Sequence, residues 1–178
     1  MYRWSFFLPG NTADIWDLAQ SLPGDIDILH VVDDDSPGEY FLASRHLEVL
    51  DDPQQVLYRG ARLLSILNGV RNISLKYCSP IILGELLANG VQVSINVSVG
   101  MQLGSFADEL PEIKPFGDYA RLINHARGDS DLHEALFLLG QEQNWFNLFK
   151  IVELIEHDWG KEKTKEAFGS STHTIYSI

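Results

Sequence analysis

The sequence predicts an α+β fold: an antiparallel sheet packed by a helix, followed by a C-terminal helical subdomain. Three stretches carry this. Asn89-Gly90 is the preferred residue pair of a type I′ hairpin turn, and from Val91 to Val99 apolar residues alternate with polar ones, as on a strand with one wet face. Asp52-Pro53-Gln54-Gln55 is a helix start, with Val56, Gly60, Leu63, Leu64 and Leu67 on one face. Residues 131–160 read as two amphipathic helices joined by a short polar turn. The division is residues 1–104 as the sheet-plus-helix region, 105–117 as a linker and 118–178 as the helical region, either as two parts or as one compact domain.

Tyr2, Trp4, Phe6 and Leu8 alternate with polar residues and predict a first strand ended by Pro9-Gly10. Asn11 or Thr12 caps a short helix with Ile15, Leu18, Ala19 and Leu22 inward. Asp25 to Val32 and Glu39 to Ser44 are expected to form a hairpin across Asp33-Asp34-Asp35-Ser36-Pro37-Gly38. The helix from Asp52 is expected to end at Asn68-Gly69, and Ile73 to Cys78 to form a strand. Gly60 costs roughly 1 kcal/mol inside a helix, which close packing against a strand would explain. Ile81 to Ala88 should pair with the strand after Asn89-Gly90. Gly100 to Pro115 shows little periodicity.

Asp118 then caps a helix carrying Tyr119, Leu122, Ile123 and Ala126, ending near Gly128. In the next helix Leu132, Ala135, Leu136 and Leu139 share a face, with Ser130 or Asp131 as the cap and Gly140 as a left-handed stop. In the last, Trp145, Leu148, Val152, Ile155 and Trp159 form a stripe widened by Phe149 and Ile151, between Asn144 and Gly160. The polar tail that follows is expected to be poorly held over its last eight or so residues.

The chain has 178 residues, 45% of them hydrophobic, enough for a packed core. Its net charge is −12. Lys and Arg are absent from Trp4 to Ser44, a stretch with eight acids, and again from Ser79 to Ile113. Nucleic-acid binding is therefore disfavoured, since phosphates would approach against long-range repulsion. The single cysteine, Cys78, excludes an intrachain disulfide framework and is expected to be a small buried side chain. No apolar run approaches the ~20 residues that span a bilayer. The N-terminus lacks the features of a signal peptide, so a cytoplasmic protein is expected.

No P-loop, GxGxxG, GxSxG or HExxH motif occurs, and no cofactor or metal is expected. Asp33 to Asp35 lack the spacing of a calcium loop and are expected to be solvated, as are Asp25 and Asp27. Chemistry can be argued at one place: Arg127 and His133, an Arg and a His six residues apart near a helix junction. This spacing resembles that of HEPN-type ribonucleases. The resemblance implies Arg127 as a phosphate ligand and His133, in the first turn of its helix, as a neutral base that moves a proton of the ribose hydroxyl. Gly128 departs from that family, which usually has a polar side chain there.

A second set of residues is Trp145, Leu148, Phe149, Lys150 and Glu153, with Arg62-Leu63-Leu64 and Leu67-Asn68-Gly69 upstream. It resembles an uncharacterised family of bacterial proteins that combine an N-terminal sheet-and-helix region with a C-terminal helix pair. In that family a glycine and an Ala-Arg-His ending usually follow the segment matching Phe168 to Ile178. No activity comes with the resemblance.

The functional expectation is a non-enzymatic interaction or accessory protein that acts through a protein partner or a second copy. Trp145 and Phe149 are its binding residues, the competing role for both being core packing. The alternatives are a HEPN-like ribonuclease or toxin–antitoxin component using Arg127 and His133, and an acidic mimic of nucleic acid built on the carboxylates between Trp4 and Ser44.

Overall fold

The computed structural model describes residues 2–32, 38–74, 79–95, 104–107, 110, 117–142 and 144–168. The central strand, β1 (Trp4–Phe7), buries Trp4 and Phe6 and leaves Ser5 and Phe7 half-buried, the alternation its sequence requires. It lies between β3 (Glu39–Ser44) and β4 (Leu86–Ala88); β2 (Ile26–Val31) and β5 (Val91–Gln92) are outermost. The order is β2-β3-β1-β4-β5 and every pairing is antiparallel. Ile28 stands opposite Leu42, Leu42 opposite Phe6, and Phe6 opposite Leu86, so one apolar row crosses four strands on one face. The α+β class, the β2–β3 hairpin and the bounds of β3 are those the sequence predicts.

That face packs against α3 (Pro53–Ser74). A Cβ at Gly60 would lie 2.3 Å from the Phe6 ring, so the glycine in the helix interior is there to let the strand approach. Helix α1 (Thr12–Ala19), capped by the Asn11 side chain on the Ala13 amide, adds Ile15 and Leu18 to the same core. The short α2 (Arg45–Glu48) is capped by Ser44, and the Glu48 carboxylate accepts the amides of Arg3 and Trp4 at 2.9 Å each.

The C-terminal part consists of α4 (Asp118–Gly128), α5 (Ser130–Leu139), α6 (Trp145–Trp159) and α7 (Lys161–Phe168). Helix α3 lies between the sheet and α5. The α3–α5 crossing is so close that a Cβ at Gly69 would stand 2.0 Å from the Leu136 carbonyl oxygen, and one at Gly140 1.6 Å from that of Ser65. Glycines on both helices therefore bring backbone against backbone.

This crossing explains several departures from the sequence reading. Asn68-Gly69 does not stop α3: Asn68 turns its amide onto the Ile81 backbone, Gly69 serves the crossing, and the helix continues to Ser74. Ile73 and Ser74 are thus helical rather than strand, and Cys78 lies outside the described residues, as do Asp33 to Asp35. Gly140 has an ordinary right-handed conformation (φ −81°), required for space rather than for a left-handed stop. Asn89 (φ 50°) and Gly90 (φ 78°) form the expected tight turn. The ladder after it is short: β5 has two residues and one further bond, Val93 to the Leu86 carbonyl, and residues 96–100 lie outside the description. The caps of α4 and α5 are Gly117 and Asp129, one residue ahead of those expected, and part of the polar tail forms α7.

Replacing Gly69 by Ala tests the crossing. In an isolated helix this change stabilises by about 1 kcal/mol; here it is expected to cost about 1–3 kcal/mol in urea denaturation, because α3 and α5 must separate. A stabilised variant would show that the two backbones do not touch.

Candidate functional site

Asp25 precedes β2, and its carboxylate is 1% exposed. His46 Nε2 lies 2.6 Å from Oδ2, and Arg127 Nη2 donates to both carboxylate oxygens, at 2.7 and 2.6 Å. Each partner is held by other elements. The Ala107 amide donates to His46 Nδ1 at 2.8 Å, so that nitrogen bears no proton and Nε2–H is the one directed at Asp25. Ser44 Oγ donates to the Asp25 carbonyl and accepts from the His46 amide, and Arg59 Nη1 donates to the His46 carbonyl. Burial pushes the Asp25 carboxyl up, but the hydrogen bonds from His46 and Arg127 outweigh it and hold the group down at about 2.

The same side chains clamp residues 104–107. Arg59 Nε donates to the Gly104 carbonyl, Arg62 Nε to Ser105 Oγ, and His133 Nε2 lies 3.0 Å from that hydroxyl. Phe106 inserts its ring between the two imidazoles, 5.3 Å from His46 and 5.5 Å from His133, both edge-on, with the Arg127 guanidinium 5.1 Å from its centre. Arg62 also reaches the Glu134 carboxylate at 3.2 Å and covers the Phe137 ring. His133 is held below its ordinary pKa by burial and by the neighbouring Arg62 charge. The direction matches that expected for a histidine in a first helical turn; the causes are these two.

The sequence-derived pair is thus brought around one ring. Arg127 gives its Nη2 to Asp25, while His133 faces Ser105 and Arg62. The expectation that Asp25 is solvated is overturned: it is among the most buried polar residues described, and Asp27 is half-buried with the Tyr2 hydroxyl donating to it. The residues missed by sequence reading are Asp25, His46, Arg59, Ser105 and Phe106. One signal was available: on the 3.6-residue repeat Arg59 and Arg71 fall on the apolar stripe of α3, and a charged side chain on a core stripe calls for a buried partner. Arg71 is met by the half-buried Asp14 carboxylate at 3.6 Å and by the Ser79 carbonyl at 3.0 Å.

The other expected residues lie on α6. Trp145 is 78% exposed, which rules out the core-packing role for it, and Phe149 is half-buried. The buried residues of α6 are Asn147 and Ile151. At 100° per residue these point roughly a quarter turn away from the stripe of Trp145, Leu148, Val152 and Trp159. The stripe therefore lies beside α5 instead of beneath it, with Phe146 and Trp159 also exposed. Between α5 and α6 a cavity of about 280 Å³ is lined by apolar groups including Leu132, Leu154 and Trp159, and by Asp129, Asp131 and Asp158. Among the described residues no group of three or more His, Cys, Asp or Glu side chains is arranged to hold a metal ion.

Asp25→Asn removes the charge that satisfies His46 and Arg127, and is expected to cost about 3–5 kcal/mol in urea denaturation; a loss below about 1 kcal/mol would show that the network is not a structural requirement.

Asp25 and His133 each contribute one limb to the pH dependence of stability, both lost towards acid. Asp25 is lowered from 3.8, so its contribution is complete above that pH and disappears as pH falls towards 2. His133 is lowered from 6.5, so its contribution is complete above 6.5 and declines as pH falls from there through the folded value. His133→Gln should flatten the upper limb and leave the lower one; an unchanged upper limb would remove His133 as its origin. Compared with known proteins, the chain matches no family model, no curated protein and no solved structure, so the functional reading is carried by the chain's own geometry.

Proposed function

We propose that this chain is a non-enzymatic interaction protein whose binding surface is the outer face of α6. The carrying observation is the rotation of that helix: Trp145, Phe146, Leu148 and Trp159 are exposed, while an asparagine, Asn147, occupies the buried side. Exposed aromatic and aliphatic side chains are the composition of interface centres, and exposed apolar surface of this kind marks interaction sites. Of the residues expected to bind, Trp145 is an exposed member of this face and Phe149 a half-buried neighbour. No helix among the described residues is long and apolar enough to cross a membrane.

RNA cleavage by Arg127 and His133 is a weaker reading. Of the Arg127 donors, Nη2 is engaged by both Asp25 oxygens and Nε is buried, so a phosphate that draws the guanidinium towards it weakens the hold on a buried carboxylate. The acidic-mimic reading loses Asp25, which is buried inside the protein.

The test compares two variants. Trp145→Ser is expected to shift stability by less than about 0.5 kcal/mol, as at a surface position, whereas Leu136→Ala in the core should cost about 2–5 kcal/mol. A loss of about 3–5 kcal/mol for Trp145→Ser would place the ring in a core and remove the interaction reading. Purified chain is expected to leave single-stranded RNA intact over prolonged incubation; cleavage abolished by His133→Ala would favour the ribonuclease instead.

A further inference from the structure

We propose that the partner of this face is a basic amphipathic helix, seated apolar side down along the α6 stripe with Lys and Arg residues against carboxylates on both flanks. The inference rests on the interaction reading above and adds the chemistry of the partner. On the helical repeat, the stripe from Trp145 to Trp159 runs between two acidic borders. Glu153 and Glu156 lie on one side; on the other, along the α5 groove, lie Asp129, Asp131 and Asp158. From Asp129 to Gly160 the sequence has seven carboxylates and one lysine. That lysine, Lys150, is bound to Glu153 at 2.6 Å, and His157 is bound to Asp131 at 2.5 Å.

The stripe, exposed at Trp145, Leu148 and Trp159, is about 22 Å long, the length of a four-turn helix, which suits helix-in-groove recognition. The groove cavity has an apolar wall of Leu132, Leu154 and Trp159 beside its three aspartates. An arginine or lysine fits that combination, its aliphatic stem against the wall and its charged head at the carboxylates, with the Trp159 ring as a further cation partner. A second copy of this chain fits poorly: it would bring a face of the same acidic character, whose one lysine is already bound to Glu153, in a molecule with net charge −12. Lys161, Lys163 and Lys165 stand beyond Gly160 on α7, outside the stripe.

The experiment uses the full chain and two synthetic helical peptides of about 18 residues with one shared leucine stripe, flanked in one by lysines and in the other by glutamates. Fluorescence anisotropy of the labelled peptides is expected to show the lysine peptide binding at least about tenfold more tightly than the glutamate peptide. That affinity should fall several-fold as salt is raised from about 0.05 to about 0.5 M. Trp159→Ala should weaken binding about tenfold or more with the urea midpoint unchanged, and Glu156→Gln combined with Asp158→Asn should remove most of the preference for lysine. Equal binding of the two peptides would overturn the basic-partner proposal and leave the interaction surface standing. A dimer in light scattering that Trp145→Ser dissociates would assign the face to a second copy and equally overturn it. Binding of neither peptide would also overturn it, while the interaction reading itself falls if Trp145→Ser proves to be a core substitution or if the chain cleaves RNA through His133.

Discussion

One buried carboxylate decides how the parts of this molecule meet. Asp25 sits at the end of the sheet with almost no contact with water. An ionised group in that position is tolerable only if fully hydrogen-bonded. Its bonds come from His46 on α2 and Arg127 on α4, which is 102 residues away in sequence. The imidazole is in turn oriented by the backbone of Ala107, and the segment around Ala107 is held by Arg59 and Arg62 from α3 and by His133 from α5. The sheet, its packing helix and the first two C-terminal helices therefore share one polar junction. Buried ion pairs add little net stability relative to apolar packing, but a missing partner is costly. The network thus specifies an arrangement more than it strengthens one.

Most elements were legible in the chain because their signals are local. Asn89-Gly90 demands positive φ at both positions and forms the turn. Asn144 and Gly160 bound α6 as capping chemistry requires. The failures share one cause: a residue whose local preference was overridden by a distant contact. Asn68-Gly69 carries a stop signal, yet Gly69 is needed where Leu136 crosses and Asn68 where Ile81 passes. Asp25 reads as a loop residue after Pro23-Gly24, since nothing nearby announces His46 or Arg127 as partners. Arg127 and His133 were singled out for catalytic spacing, and they do converge on Phe106. What spacing could not convey is that Asp25 already holds the guanidinium.

The stripe on α6 was equally visible in sequence, but which way it faces was not. Amphipathicity fixes that a helix has an apolar side and leaves open whether that side meets the core or a partner. Here Asn147 decides the matter: its side chain and amide tie the turn at Glu142 and Asn144, which turns that side of the helix inward with Ile151. The aromatic stripe is thereby displaced towards solvent and the groove over α5 is left bordered by acids. The polar junction uses Arg127 and His133, while their near neighbours Asp129, Asp131 and Leu132 line the groove between α5 and α6.

The state of the His46 ring tests the network most directly, because Asp25 and Ala107 each require a particular nitrogen to carry the proton. Nitrogen NMR of the imidazole at neutral pH distinguishes the tautomers. The bonds to Asp25 and Ala107 require a proton on Nε2, a bare Nδ1 and a hydrogen-bond coupling from the Ala107 amide to Nδ1. A ring protonated on Nδ1, or one averaging between both tautomers, would contradict this arrangement.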